Sequence, residues 1–304
     1  MEQKNLFANF HEWYPKRTVS FNFINFFVIL AFHLVAVLAF LNWSLAGFIV
    51  FLFFYVASAA GITVGYHRLL THQSFKSNET IKRIFVILGV SAFQGGPLNW
   101  VAEHRLHHRE SDKELDPHNI FRGFFYAHMG WLFRKNDAQT QQTLIDVFAP
   151  DLKKDSFLVW AEKYNVLIAS LFGVALLLLG GWKVFLWGFV FRVVFVWHVT
   201  WFVNSASHLW GYRHWTTEMA TNCWWVGLLA LGEGWHNAHH ALPTSARHGL
   251  RWWEFDFSWC LIKGFESLGW VSKIKLPKAE QLPWKPEYSS KPIEMSAIPV
   301  QSNA

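Results

Sequence analysis

Nine of the sixteen histidines stand in four groups whose spacing suits a metal site. His67 and His72 close the two ends of His-Arg-Leu-Leu-Thr-His. His104, His107 and His108 sit in Glu-His-Arg-Leu-His-His, and His236, His239 and His240 in Trp-His-Asn-Ala-His-His. His208 follows Asn204 by four residues. Residues at i, i+3 and i+4 share one helix face, so each HxxHH triplet can aim three imidazoles at one point. Asn204 and His208 also share a face. His67 and His72, five apart, diverge by roughly 140° on a straight helix. The helix is therefore expected to bend or end there, or the two rings to serve different metals. Nine imidazoles and an amide exceed the four ligands of one tetrahedral zinc, which points to two metals of higher coordination number. Imidazole suits iron, zinc, copper and nickel alike, so ligand type leaves the metal open.

A ligating histidine usually gives its other ring N–H to a carboxylate or carbonyl. Glu103 and Glu233 flank the triplets, and Asp112, Glu114 and Asp116 follow the first; each is a candidate for that role or an ordinary solvated charge. His11, His33, His118, His128, His198, His214 and His248 stand alone, and most of them are expected not to be ligands. Gly95-Gly96-Pro97 and Gly232-Glu233-Gly234 supply turns ahead of the triplets.

The elements that must position these rings are apolar. Hydrophobic residues make up 52% of the 304 and charged residues 16%, against about 25% charged in an ordinary soluble domain. Trp (19) and Phe (30) are abundant, and such aromatics collect at membrane interfaces. Four apolar runs, 21–43, 46–66, 165–181 and 184–204, approach the roughly 20 helical residues that cross a bilayer. Short connections near 42–45 and 180–183 pair them as two helical hairpins. Of 27 Lys and Arg, only Lys183 falls in an outer turn and Arg192 within a span. The rest lie on one side, which the positive-inside rule makes cytoplasmic. Both termini and both polar regions, 67–164 and 205–276, then share that face, and the four histidine groups can converge there. The expected fold is an all-α membrane protein: four transmembrane helices in two hairpins, with a cytoplasmic helical cap carrying a dimetal site.

On this reading the net charge of +6 is the cationic flank of the spans, and nucleic acid is not an expected partner. Arg192 must face protein or water. The apolar stretches 81–93 and 224–231 are too short to span and lie in the interface or pack as core. Residues 1–20 read as a polar cytoplasmic segment with no signal peptide, 21–276 as one membrane domain, and 277–304 as a flexible tail. Cys223 and Cys260 form no CxxC and no disulfide framework.

The boxes resemble the membrane fatty acyl desaturase family, the bacterial and cyanobacterial delta-9 members above all. Matching stretches are 65–72, 94–97 with Trp100 and 104–108, Asp116-Pro117-His118, Gly123-Phe124-Phe125, and Gly130-Trp131. Asn204-Ser205-Ala206 with His208 and Gly211, residues 232–240, and Ser245 to Gly249 match as well. The resemblance runs from about His67 to Lys275. It implies a non-haem di-iron centre: two iron ions held by the nine grouped histidines, with Asn204 reaching iron through water. It implies a reaction that uses O2 and two electrons to remove two hydrogens from a long fatty acyl chain, leaving a cis double bond. It also implies a bent apolar tunnel for that chain, which Trp100, Trp235, Trp252 and Trp253 could line.

Arg134-Lys135 matches a basic pair that meets the CoA phosphates in acyl-CoA members of that family. Position 102, however, is Ala where animal acyl-CoA members carry Arg, and Gly95-Gly96-Pro97 resembles forms that include some acting on lipid-linked chains. Acyl-CoA and acyl-lipid substrates both stay open. There is neither a haem-binding His-Pro-Gly-Gly motif nor a set of iron–sulfur cysteines. Electrons are therefore expected from a separate protein, a ferredoxin or a b-type cytochrome with its reductase, docking on the basic face. A related di-iron fatty acid hydroxylase or alkane monooxygenase is the first alternative. A metal-bearing membrane receptor without redox turnover is the second.

Overall fold

Polar side chains close the N-termini of the helices that carry the first apolar runs. The computed structural model describes residues 7–284. In it, Asn22 accepts from the Asn25 amide (3.1 Å) at the start of α1, Phe23–Leu41. Ser44 accepts from Gly47 (3.2 Å) at the start of α2, Leu45–Ala60. Asn78 accepts from Ile81 (2.9 Å) at the start of α3, Glu79–Ser91. These caps satisfy N–H groups that no helical carbonyl reaches. α1 exposes Ile24, Phe27, Leu34 and Leu41 along one stripe and buries Ile29 and Ala36 on the other. In water such a stripe is a liability, whereas lipid tails match it.

Three helical stretches are long and apolar enough to cross a membrane: Phe23–Leu41, Leu45–Thr71 and Ser156–His208. The chain is thus a largely helical membrane protein. Between the second and third stretches lie α4 (Pro97–Glu110) and the short α5 (Phe124–His128). The third comprises α6 (Ser156–Phe185), a π-helical segment Leu186–Phe191, and α7 (Arg192–Ser205). It is broken at Gly181, whose φ of 73° and ψ of −174° suit a residue without a side chain. Beyond that break Gly173 lies against Phe189, and Gly188 against Leu176, so the run doubles back on itself. A further short helix, α8 (His236–Ala241), carries the second triplet, and a helix over Phe257–Ser267 follows it.

The apolar stretch 81–93 is largely α3, and it packs as core rather than lying flat. A Cβ added to Gly61 would stand 2.2 Å from the backbone nitrogen of Gly89, so the two helices meet backbone to backbone. The stretch 224–231 forms a short helix, Trp224–Leu229, that buries Val226 and exposes Trp224 and Leu228. Tyr55 of α2 donates to the Leu229 carbonyl.

Among the described residues four short strands also form: β1 (Val19–Phe21), β2 (Lys76–Ser77), β3 (Arg134–Asn136) and β4 (Val271–Ser272). They pair antiparallel as β1 with β3 and β2 with β4. An all-α expectation could not include them, because two or three residues carry no readable period. From the C-terminal tail, Trp284 packs on Trp215, and the Arg251 guanidinium stands over its ring. Ala279–Gln281 form a single 3-10 turn, and Trp215 Nε1 donates to the Gln281 carbonyl (3.0 Å); residues 285–304 lie outside the described residues.

Candidate metal centre and its cavity

His67 and His72 reach one place because the chain there is π-helical, over Gly61–Thr71. The His72 amide bonds to the His67 carbonyl (3.1 Å), and an i to i+5 bond stacks the fifth residue over the first. Segments of this kind are rare and recur at functional sites. The helix ends at Thr71 with His72 as its cap, one of the outcomes expected, and the two rings join one cluster rather than serving different ones.

Two clusters form, each with its ligand-type nitrogens within 4.8 Å of one another. The first holds His67, His72, His104, His108 and His239; the second holds His107, His208, His236 and His240. The expectation that each HxxHH triplet aims at one point is corrected here. His104 and His108 of α4 join the first cluster and His107 the second; His239 of α8 joins the first, and His236 and His240 the second. Each triplet straddles two adjacent sites.

The hydrogen bonds behind the rings say which atoms face inward. His67 Nδ1 lies 2.6 Å from Glu233, His107 Nδ1 2.9 Å from Asp116, and His208 Nδ1 3.0 Å from Asp112. An ionised carboxylate only accepts, so each Nδ1 carries the proton and each Nε2 presents a lone pair. In the first cluster Nε2–Nε2 separations are 3.0 Å for His67–His239, 2.9 Å for His239–His108 and 3.1 Å for His108–His104. In the second they are 3.1 Å for His236–His208, 3.0 Å for His240–His236 and 3.3 Å for His107–His240. There are too few protons to turn all of these into N–H···N bonds. Convergent lone pairs of this kind fit a cation at each centre, and neutral imidazole is a normal donor for one.

Burial, and after it the neighbouring imidazoles, push His104, His108, His236, His239 and His240 well below the ordinary histidine range. His107 differs: burial opposes its protonation, but Asp116 and then Asp112 lift it. Burial alone would raise Glu233 and Asp116. His67, Arg68 and His248 hold Glu233 low, and His107 and His118 hold Asp116 low. A group with a depressed folded-state value binds more protons when unfolded, so its contribution grows with rising pH. For these imidazoles the benefit is complete above 6.5 and is lost as pH falls below it. Metal binding needs the same deprotonated nitrogens. Metal retention is expected to be flat above neutrality and to fall steadily as the medium is acidified. Metal analysis after gel filtration at each pH checks this, and undiminished retention well below the imidazole range would contradict it.

Beside the first cluster lies a cavity of about 690 Å³. Its exposed mouth carries Arg17, Arg122, Arg134 and Lys135, and its interior is walled by Ile29, Phe93, Trp197 and Trp201, with Trp100, His104 and Asn204 also on its surface. Asn204 thus sits on the cavity wall. Arg134 and Lys135 are placed at the mouth by β3, paired opposite Phe21 and Ser20. Of the tryptophans expected there, only Trp100 lines the cavity. Trp235 is buried against Gly227 and donates to the Phe255 carbonyl, while Trp252 and Trp253 are exposed.

Several residues escaped sequence reasoning. Arg17, Asn22 and Asn25 line the cavity from the N-terminal segment, which holds no recognisable motif. His118 and His248, read as isolated, group with His107–Asp116 and with His67–Glu233. Their place inside the matched stretches Asp116-Pro117-His118 and 245–249 was the available signal. Of the flanking carboxylates, Glu233, Asp112 and Asp116 bond to ring nitrogens. Glu103 instead lines the cavity, where burial pushes its carboxyl up to about 7. His33, His198 and His128 form a separate chain: 2.9 Å, then 2.9 Å, then 3.0 Å on to Ser205.

A Fatty acid desaturase family profile matches residues 41–259. The chain belongs to the fatty acid desaturase family. It is 40% identical over 265 residues to the sn-1 stearoyl-lipid 9-desaturase of Anabaena variabilis, covering 86% of this chain and 96% of that one. It is 44% identical over 268 residues to the protein of the same name from Synechocystis sp., covering 86% and 82%. An Acyl-CoA C20 Delta5-desaturase of Anemone leveillei is 40% identical over 228 residues, covering 75% and 73%. This desaturase is therefore an oxidoreductase of lipid metabolism, and its histidine clusters are suited to metal.

Proposed function

We propose that the chain is an acyl-lipid Δ9 desaturase that uses O2, two electrons and two irons to place a cis double bond in a long fatty acyl chain. The observation that carries this reading is the pair of imidazole clusters beside a cavity with a cationic mouth and aromatic and aliphatic walls. Two relatives that match it over 86% of its length are named as lipid 9-desaturases. His67, His72, His104, His108 and His239 would hold one iron. His107, His208, His236 and His240 would hold the other, with Asn204 completing it through a water. When bound, the irons supply the oxidant for unactivated C–H bonds that no side chain can provide.

The protein's own part is positioning. Arg17, Arg134 and Lys135 hold the anionic or polar head at the mouth, since guanidinium and ammonium groups recognise such oxygens. Trp197, Trp201 and Phe93 exclude water from the acyl chain and hold its methylenes past His104. Glu233, Asp112 and Asp116 keep the ring tautomers that leave Nε2 facing inward. The runs 21–43, 46–66, 165–181 and 184–204 would cross the bilayer as two hairpins, with the termini and the clusters cytoplasmic; the reversal at Gly181 and the near-absence of Lys and Arg from the outer turns support this. Residues 21–276 would act as one domain. Electrons would come from a ferredoxin or a b-type cytochrome with its reductase.

Acyl-CoA is the second reading, favoured by the basic pair Arg134–Lys135 at the mouth. Expression in a host unable to make unsaturated fatty acids, followed by gas chromatography of each lipid class and of the acyl-CoA pool, tests both. Δ9 product appearing first in complex lipids is the expected result. Product appearing first in acyl-CoA would select the second reading, and mainly hydroxylated chains would overturn the desaturase assignment.

A further inference from the structure

Arg192 is fully buried inside an apolar stretch, and no carboxylate pairs with it among the described residues. Its Nε donates to the Gly188 carbonyl (3.2 Å), and its Nη1 to the Ser91 carbonyl (2.5 Å). Phe172 and Phe189 flank the guanidinium. Ser91 is the buried last residue of α3; the Leu88, Gly89 and Val90 carbonyls accept from the Ser91 hydroxyl and the Ala92 and Phe93 amides, which leaves the Ser91 carbonyl to Arg192. A helix C-terminus carries partial negative charge and unsatisfied acceptors, and a cation there answers both.

The turn beyond α3 matters more than the cap itself. It spans residues 92–96 and is tight, with Phe93 at a φ of +59°, a conformation that costs a bulky residue and persists only when its surroundings impose it. α7 imposes it. Trp197 Nε1 donates to the Phe93 carbonyl (2.9 Å), and Gln94 Nε2 to Thr200 Oγ1 (2.9 Å). Arg192, Trp197 and Thr200 thus grip Ser91, Phe93 and Gln94 in order. Phe93, Gln94 and Gly95 line the cavity, and the turn leads directly into α4, which carries Trp100 and His104.

We propose that Arg192 is a positioning residue for the desaturation reaction. By pinning the end of α3 it fixes the turn 92–96 in the cavity wall, and so sets which acyl carbon lies opposite the histidine clusters. The inference rests on the reading of the cavity as the acyl-chain site. A lone buried cation is expensive unless hydrogen-bonded, and a role confined to stopping a helix would be met by a Gly cap at less cost.

The test compares full-length wild type with Arg192→Met, Arg192→Lys and Trp197→Phe, with Leu186→Ala as a buried control that packs in a different cluster. Product double-bond positions, iron content and turnover are measured on each. Arg192→Met is expected to keep its iron, to lose roughly 10- to 100-fold in turnover as a reacting centre displaced by about 1 Å does, and to yield a mixture of neighbouring double-bond positions. Arg192→Lys should restore much of the single isomer, and Trp197→Phe should shift the mixture as Arg192→Met does. Leu186→Ala should change amount but not position. A single unchanged isomer from Arg192→Met overturns the proposal; if that variant does not accumulate, an unchanged isomer from Trp197→Phe does so. Absence of unsaturated product from the wild type would instead overturn the underlying reading of the cavity.

Discussion

Replacing His239 with alanine is expected to abolish unsaturated product and to strip the first cluster of the metal proposed for it. His239 stands at the centre of that cluster, its Nε2 3.0 Å from His67 and 2.9 Å from His108. Mutating a residue that merely orients a metal ligand costs roughly 10- to 100-fold in affinity or activity; losing a donor at the shared centre should cost at least the upper end of that range. The void left is small and polar, so the helices, which pack through other residues, should still insert. Metal analysis and product chromatography on membranes from the same culture check both halves. Full metal content with activity within a few-fold of wild type would remove His239 from the ligand set. His33, whose Nε2 meets His198 rather than either cluster, should tolerate the same change far better.

The second large effect belongs to a residue that touches no metal. Glu233→Gln should both loosen the first cluster and destabilise the fold. One Glu233 oxygen accepts from Arg68 at 3.0 Å, and the other faces His67 Nδ1 at 2.6 Å and His248 Nδ1 at 3.3 Å. The carboxyl is 5% exposed, yet its neighbours keep it ionised despite burial. An amide removes the charge that offsets Arg68 and points N–H at an N–H on one side. Breaking a buried ion pair by removing one partner costs about 3–5 kcal/mol, and Asp256, 3.0 Å from Arg68, should hold the loss near the lower end. Metal affinity should fall by roughly 10- to 100-fold. Thermal unfolding in detergent and metal retention against a chelator read the two effects separately. An unchanged midpoint would refute the structural half, and unchanged retention the orienting half.

The chemistry of this protein was legible because metal ligation constrains residue type and spacing together. His104, His107 and His108 announce a helix face without any tertiary knowledge. Their division between two clusters was not legible, since it depends on where α8 and the π segment deliver their own rings. How His67 and His72 meet stayed open for a related reason: straight-helix geometry separates them, an end or bend of the helix was one way out, and nothing local in Gly61–Thr71 signals i to i+5 bonding. The apolar helical stretches could be seen in hydropathy, and the reversal at Gly181 in a short connection. The mouth of the cavity could not be seen, because Arg17, Asn22 and Asn25 reach it only once β1 pairs with β3, more than a hundred residues away. Arg192 illustrates the same limit. Composition requires a buried cation to face protein, but only the fold reveals that the end of α3 is what it faces.

Quantifying iron in active, anaerobically purified protein tests the central claim most directly. The predicted result is two irons per chain in two spectroscopically distinct imidazole-rich environments, the first lost in His239→Ala and the second in His107→Ala, each in step with activity. Fully active protein holding one iron or none would contradict it.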